Sequence, residues 1–80
     1  ADPYLVDAPY IESQQDAPIA MSQHEGQEFD YILSGTLKVI VNGKEKILNE
    51  GDAIYYDSSK PHGMIAVSKE GCRFLAYLVK

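Results

Sequence analysis

Short apolar segments separated by turn residues recur along the whole chain, and this spacing constrains the fold more than any other feature. In the clearest segment, Leu37, Val39 and Val41 occupy alternate positions, as on a strand with one buried face. Asn42-Gly43 follows, and this pair supplies the two positive φ angles that a type I′ turn requires. The pattern predicts a β-hairpin over residues 37–48.

Similar segments in the rest of the chain predict an all-β protein, because helix signals are nearly absent. About eight short strands with turns roughly every eight to twelve residues are typical of a small β-sandwich or barrel. Pro3, Pro9 and Pro18 restrict the first part of the chain to edge strands and a loop. The predicted strands cover residues 4–6, 19–24, 27–33, 37–41, 44–48, 53–56, 62–67 and 73–79.

Composition excludes several classes of protein. The chain has 80 residues, the size of one domain, and its formal net charge of −5 argues against nucleic-acid binding by these residues. Cys72 is the one cysteine, so it cannot form an internal disulfide. No segment reads as a membrane span or a signal peptide, which favours the cytoplasm. The start at Ala1, without a methionine, predicts a piece of a longer protein.

Two separated motifs carry the residues that could form a metal site. The first contains His24 and Glu28, and the second contains Pro61-His62-Gly63. Two imidazoles and one carboxylate on one face of a metal form a facial triad, which leaves positions open for substrate or oxygen. We therefore predict that His24, Glu28 and His62 share one pocket.

Strand alternation predicts which other side chains face that pocket. Asp30 lies two residues after Glu28, and Met64 lies two residues after His62. In the two-residue hairpin Lys46 falls opposite Val39, on the predicted inner face. Asp30 and Lys46 either form a pair or bind a polar ligand at the barrel mouth, or a bulge turns both toward water. The predicted ligand pocket comprises His24, Glu28, Asp30, Lys46, Tyr56, His62 and Met64.

From about residue 19 to residue 79 the chain resembles the cupin superfamily, which implies a small double-stranded β-helix, or jelly-roll, barrel. The family's first motif reads His-x-His, three or four residues, Glu, six residues and Gly, which matches His24, Glu28 and Gly35. The second motif runs from Gly51 to His62, with Asp57 and Ser59 where the family has Pro and Gly. Ser22 stands where the family has its first metal-binding His. The resemblance implies one cupin domain over residues 1–80, with an N-terminal edge strand and loop at 1–18 and the barrel at 19–79.

A narrower resemblance suggests a role in gene regulation. The two motifs are similar to the C-terminal cupin domains of bacterial regulators that carry a helix-turn-helix of the xenobiotic-response-element type. This implies a homodimeric domain that senses a small-molecule metabolite and reaches DNA only through a helix-turn-helix absent from this chain.

Two other functions remain open. A metal-dependent enzyme is one, because a helix-turn-helix–cupin epoxidase has a similar His, Glu and His set; Lys46 would then anchor a small anionic substrate. A purely structural dimerisation module is the other. The cofactor is either one divalent transition metal (Fe, Ni, Zn or Mn) or none.

Overall fold

The computed structural model describes residues 2–79, and nearly all of its regular structure is β-strand. Within this range no helix has the length and apolarity that crossing a membrane takes. A single 3₁₀ turn, Glu12–Gln14, lies between the first two strands. The strands are β1 (Tyr4–Ala8), β2 (Gln27–Ser34), β3 (Leu37–Val41), β4 (Lys44–Leu48), β5 (Ala53–Asp57), β6 (His62–Ala66) and β7 (Cys72–Val79).

The strands form two antiparallel sheets that pack into a jelly-roll barrel, as the sequence predicted. One sheet has the order β1-β7-β2-β5, and the other has the order β4-β3-β6. Strands distant in sequence therefore lie side by side, and β1 is an edge strand as its prolines predicted.

The β3–β4 hairpin has the predicted turn and register. Asn42 and Gly43 both have positive φ, at 50° and 82°. Val39 pairs with Lys46, and Leu37 pairs with Leu48. The two-residue turn therefore sets the register of the whole hairpin, because a loop of this length fixes which residues of the two strands lie opposite each other.

The barrel interior has an apolar end and a polar end. Along β2 the inward side chains run from Glu28 and Asp30 to Ile32, so the polarity changes within one strand. The apolar end is a single cluster formed by Ile32, Leu37, Val39, Leu48, Ala66, Cys72, Phe74 and Ala76. The polar end contains buried carboxylates, an imidazole and hydroxyls, and it contains the candidate site.

The prediction of a strand over residues 19–24 was wrong. This segment makes only an isolated bridge between Ser22 and His62, so the described residues contain seven strands and not about eight. The backbone of this segment comes too close to β6 for a regular ladder to continue. A Cβ atom added to Gly63 would collide with the carbonyl oxygen of Ala20. The segment crosses over Gly63 and then leaves β6 to place His24.

Candidate metal centre and ligand pocket

The structure brings His24, Glu28 and His62 together at the polar end of the barrel. One ligand atom from each residue lies within 4.8 Å of the others. His24 Nε2 is 3.7 Å from Glu28 Oε1, and the two imidazole rings lie 5.0 Å apart at 86°. Three potential ligands from two separated motifs therefore converge on one point.

Hydrogen bonds to backbone carbonyls of the turn after β5 fix the ring of His62 and the backbone of His24. The Nδ1 of His62 donates to the carbonyl oxygen of Lys60 over 2.9 Å, so Nε2 is left with a free lone pair. The backbone N–H of His24 donates to the carbonyl oxygen of Ser58 over 2.9 Å. The turn after β5 therefore positions both histidines, although they lie far apart in sequence.

The three residues differ in exposure, and this difference gives the site an opening. The side chain of His24 is 41% exposed, whereas that of Glu28 is 10% exposed. His62 is buried. Solvent and small molecules can therefore reach the centre from the His24 side.

The three residues fit a divalent transition metal. Ligand atoms bound at about 2.1 Å and at right angles, as in a facial triad, lie roughly 3 Å apart, so the side chains must draw together from their present spread of up to 4.8 Å when a metal binds. Neutral imidazoles and a carboxylate suit Fe, Ni, Zn and Mn alike. A metal bound there would act as a Lewis acid toward an oxygen-containing ligand.

Ser22 lies next to His62 and leaves the fourth ligand position without an imidazole. The backbones of the two residues exchange both hydrogen bonds of an antiparallel pair, at 2.7 and 3.0 Å. Their side chains therefore lie on the same side of the chain. A serine hydroxyl is a weak metal ligand at neutral pH, so the set is limited to three strong ligands.

Asp30 is fully buried beside Glu28. Burial raises the pKa of Asp30 to about 9, and the charge of the neighbouring Glu28 carboxylate adds to the rise. Neither carboxyl oxygen of Asp30 has a donor from the described residues. The carboxyl is therefore protonated at neutral pH, when it can donate to the Glu28 carboxylate.

Two buried hydroxyls complete the polar end. The ring of Tyr56 lies 5.1 Å from that of His62, and burial near Asp30 and Glu28 raises the pKa of its phenol. The hydroxyls of Tyr56 and Ser58 have no hydrogen-bond partner among the described residues. Sequence reasoning missed Ser58, although it continues the alternation of Ile54 and Tyr56 on the inner face. Buried polar groups normally find a partner, so this end of the barrel suits a polar ligand or water.

The other two predicted pocket residues lie farther from the centre. Met64 is half-buried on β6 and packs against the apolar cluster. Lys46 has the predicted register, but it is exposed and forms no ion pair with Asp30 within residues 2–79. The predicted pair is therefore absent from the described residues, and Asp30 does not face water, whereas the alternative in which these residues bind a polar ligand stays a prediction.

Comparisons with known proteins agree with this geometry. The family model for the cupin domain matches residues 10–78. No curated protein matches the chain.

Three solved structures, each 26% identical to this chain, are similar to it. Hydroxypropylphosphonic acid epoxidase from S. wedmorenis in complex with fosfomycin has a TM-score of 0.75, over 95% of this chain and 42% of its own. Fe(II)-HppE with the alternative substrate (S)-1-HPP has a TM-score of 0.72, over 92% and 40%. A predicted oxalate decarboxylase from Thermotoga maritima has a TM-score of 0.75, over 96% and 64%.

The chain thus spans between 40% and 64% of the length of these structures. The family model covers most of the chain, and the jelly-roll barrel with its His, Glu and His cluster has the architecture that this family implies. The chain belongs to the cupin family.

Proposed function

We propose that this domain binds one divalent transition metal through His24, Glu28 and His62 and senses a small metabolite at that centre. The observation that carries the proposal is the convergence of the three ligand atoms within 4.8 Å at the open, polar end of the barrel. The similarity of the two motifs to regulator domains supports a place in a bacterial transcriptional regulator. DNA binding would then belong to a helix-turn-helix outside this sequence.

The buried polar groups near the centre support ligand binding. Asp30, Tyr56 and Ser58 all carry polar atoms without a partner from the described residues. Leaving such groups unpaired costs free energy, typically about 1–3 kcal/mol for each group. A polar ligand that supplies donors and acceptors there recovers part of that cost, and this gives the pocket a preference for hydroxyl or carbonyl compounds.

Metal content is the first experiment. The untagged protein, purified without chelators, is expected to contain close to one equivalent of a transition metal by elemental mass spectrometry. Glu28→Ala is expected to lose the metal, and Glu25→Ala, which removes an exposed carboxylate outside the cluster, is the matched control. A protein that stays metal-free after addition of iron, nickel, zinc and manganese would contradict the metal part of the proposal.

A metal-dependent enzyme acting on a small anionic metabolite is the second candidate. Its support is the similarity to hydroxypropylphosphonic acid epoxidase and to Fe(II)-HppE. The bound metal would supply Lewis-acid or redox chemistry, and His24, Glu28 and His62 would hold it. A substrate would reach the metal from the side of the exposed His24. Incubation with iron, oxygen and small organic acids separates the candidates. Oxygen consumption with a new product favours the enzyme, and saturable binding without a product favours the sensor.

A further inference from the structure

A groove of about 320 Å³ lies between the free edges of the two sheets. β4 is the last strand of one sheet and β5 is the last strand of the other, and residues from both strands line the groove. Its walls include Val41, Ile54 and Tyr56, and three lysines lie along it: Lys44, Lys46 and Lys60. A volume of this size is typical of a pocket for a small molecule.

The charge of the groove is opposite to that of the chain. The chain has seven basic residues and a net charge of −5, yet three of the basic residues line this one groove. Two others are paired elsewhere, since Lys38 contacts Glu45 at 3.9 Å and Arg73 contacts Asp7 at 2.7 Å.

Little on the protein neutralises the three groove lysines. None of them forms an ion pair with the part of the chain that the structure describes. Asp57 also lines the groove, but its carboxylate accepts hydrogen bonds from the backbone N–H and hydroxyl of Ser59, at 2.9 and 2.7 Å. These bonds, and to a smaller extent the charge of Lys60, lower the pKa of Asp57, so it remains an anion that offsets part of the positive charge at the rim.

The groove adjoins the candidate metal centre through three direct contacts. Tyr56 pairs with Glu28 across β5 and β2, and its ring lies 5.1 Å from that of His62. Val41 pairs with His62 across β3 and β6. The carbonyl oxygen of Lys60 accepts the hydrogen bond that orients His62. Tyr56 thus separates the two sites, and its buried hydroxyl has no partner among the described residues.

We propose that this groove binds the anionic head group of a small organic molecule. The head group is an oxyanion, that is, a carboxylate, phosphate or phosphonate, held by Lys44, Lys46 and Lys60. A short apolar body packs against Val41 and Ile54. This inference goes beyond the proposed function, because it assigns a second binding site beside the metal centre.

The distribution of charge on the surface favours binding of a small anion over binding of a polyanion. Beyond the groove the surface is dominated by acidic residues, since the chain has twelve Asp and Glu residues in total. An extended polyanion such as nucleic acid would therefore meet repulsion outside the groove. A molecule with one anionic group meets only the lysines.

The test is a nuclear magnetic resonance titration of the full chain with methylphosphonate and, separately, with acetate. We expect saturable shifts at the backbone amides of the β3–β4 hairpin and of residues 54–60. Lys46→Gln and Lys60→Gln each weaken methylphosphonate binding about fivefold, as expected for loss of one close charge contact. Lys69→Gln removes the same charge from an exposed loop outside the groove and is the matched control. The Lys60 variant keeps the backbone carbonyl that orients His62.

The outcomes separate this inference from the metal proposal. Saturable shifts at the groove residues of metal-free protein support anion binding in the groove, provided that the lysine variants lose them and the control keeps them. This holds even if the protein binds no metal. Absence of saturable shifts overturns it, and so does an equal loss in Lys69→Gln, even where one equivalent of metal is bound.

Discussion

Single side chains decide whether the polar end of this barrel holds a metal. His62 is oriented by a backbone carbonyl, His24 is exposed, and Ser22 occupies the neighbouring position where the family has another imidazole. Three strong ligands are enough for a facial triad. The chemistry of the site therefore depends on substitutions that scarcely affect the sheets.

His62→Ala is expected to abolish metal binding and leave the fold intact. Backbone pairing closes the barrel, and the variant loses only one ring and its hydrogen bond, so the free energy of unfolding falls by about 1–2 kcal/mol. Metal content and circular dichroism measured on the same sample check both parts. His24→Ala, at the exposed ligand, is expected to lose the metal with a smaller effect on stability. An unfolded His62→Ala protein would mean that this histidine is structural.

Ser22→His is expected to tighten metal binding. The backbone bridge puts residue 22 on the same side of the chain as His62, so an imidazole there could supply a fourth strong ligand. One added ligand that contributes about 1.4 kcal/mol increases affinity roughly tenfold. Competition with a chelating dye measures the change, and Gln23→His, one residue along, is the control. Equal affinities of the two variants would show that residue 22 does not face the metal.

Asp30 is expected to make the metal-free protein less stable as pH rises. The folded chain keeps a proton on Asp30 up to a pKa of about 9, whereas the unfolded chain releases it near 3.8. The contribution of this proton to the free energy of unfolding is at its full value below pH 3.8 and is lost as pH rises toward 9. The free energy of unfolding then falls by up to about 1.4 kcal/mol per pH unit. Urea unfolding with a chelator present, from pH 5 to pH 8, measures the slope.

Asp30→Asn removes this titration and is expected to flatten the pH dependence. Asp16→Asn, which removes an exposed loop carboxylate, is the matched control and should keep the slope of the parent protein. A parent protein whose stability does not fall over that range would contradict a buried, protonated Asp30.

Turns and one irregular segment determine the elements around the site. Gly43 has a φ of 82° and open space on the side where a Cβ would lie, whereas at Gly63 a Cβ would meet the backbone of Ala20. The first glycine is required by its backbone conformation and the second by a close approach. Substitutions at Gly43 therefore test the stability of the hairpin, and substitutions at Gly63 test the placement of His24.

Gly43→Val is expected to impair folding and to leave the metal site intact in the folded fraction. A β-branched residue resists a positive φ, and the cost is about 1–3 kcal/mol. Gly63→Ala is expected to weaken metal binding as well, because the displaced segment 19–22 leads directly to His24. Thermal unfolding and metal affinity measured on both variants check the difference. Equal effects on metal binding would contradict this division.

At the level of the whole molecule, the outer face of the β1-β7-β2-β5 sheet is unusually apolar. Leu5 pairs with Leu75, and Leu75 pairs with Tyr31, so their side chains form a row across three strands on the side away from the core. Tyr55 is exposed on the same face, opposite Phe29. Large exposed apolar patches mark interaction surfaces.

We expect this face to form the homodimer interface. Tyr31→Lys should shift the protein to a monomer in analytical ultracentrifugation, because it places a charge in this apolar row. Ile47→Lys is the matched control, since Ile47 is similarly exposed on the outer face of the other sheet, at 49% against 39% for Tyr31. A parent protein that is monomeric at all concentrations would contradict the prediction.

The sequence by itself determined the all-β class and the β3–β4 hairpin. Local rules suffice for these, because Asn42-Gly43 fixes a turn and side chains alternate along a strand. Family motifs added the pairing of His24 and Glu28 with His62. The strand bounds were close for the same reason, since each strand has its own alternation and flanking turn.

Only the tertiary structure decided which elements lie at an edge and which at the centre. Asp30 is fully buried on β2, which has a strand on each side, and Lys46 is exposed on the edge strand β4, where it lines the groove. The segment 19–24 has the apolar residues of a strand, but its close crossing over Gly63 leaves room for a single bridge. The lysine-lined groove exists because the free edges of two sheets face each other, and no local pattern in the sequence predicts that contact.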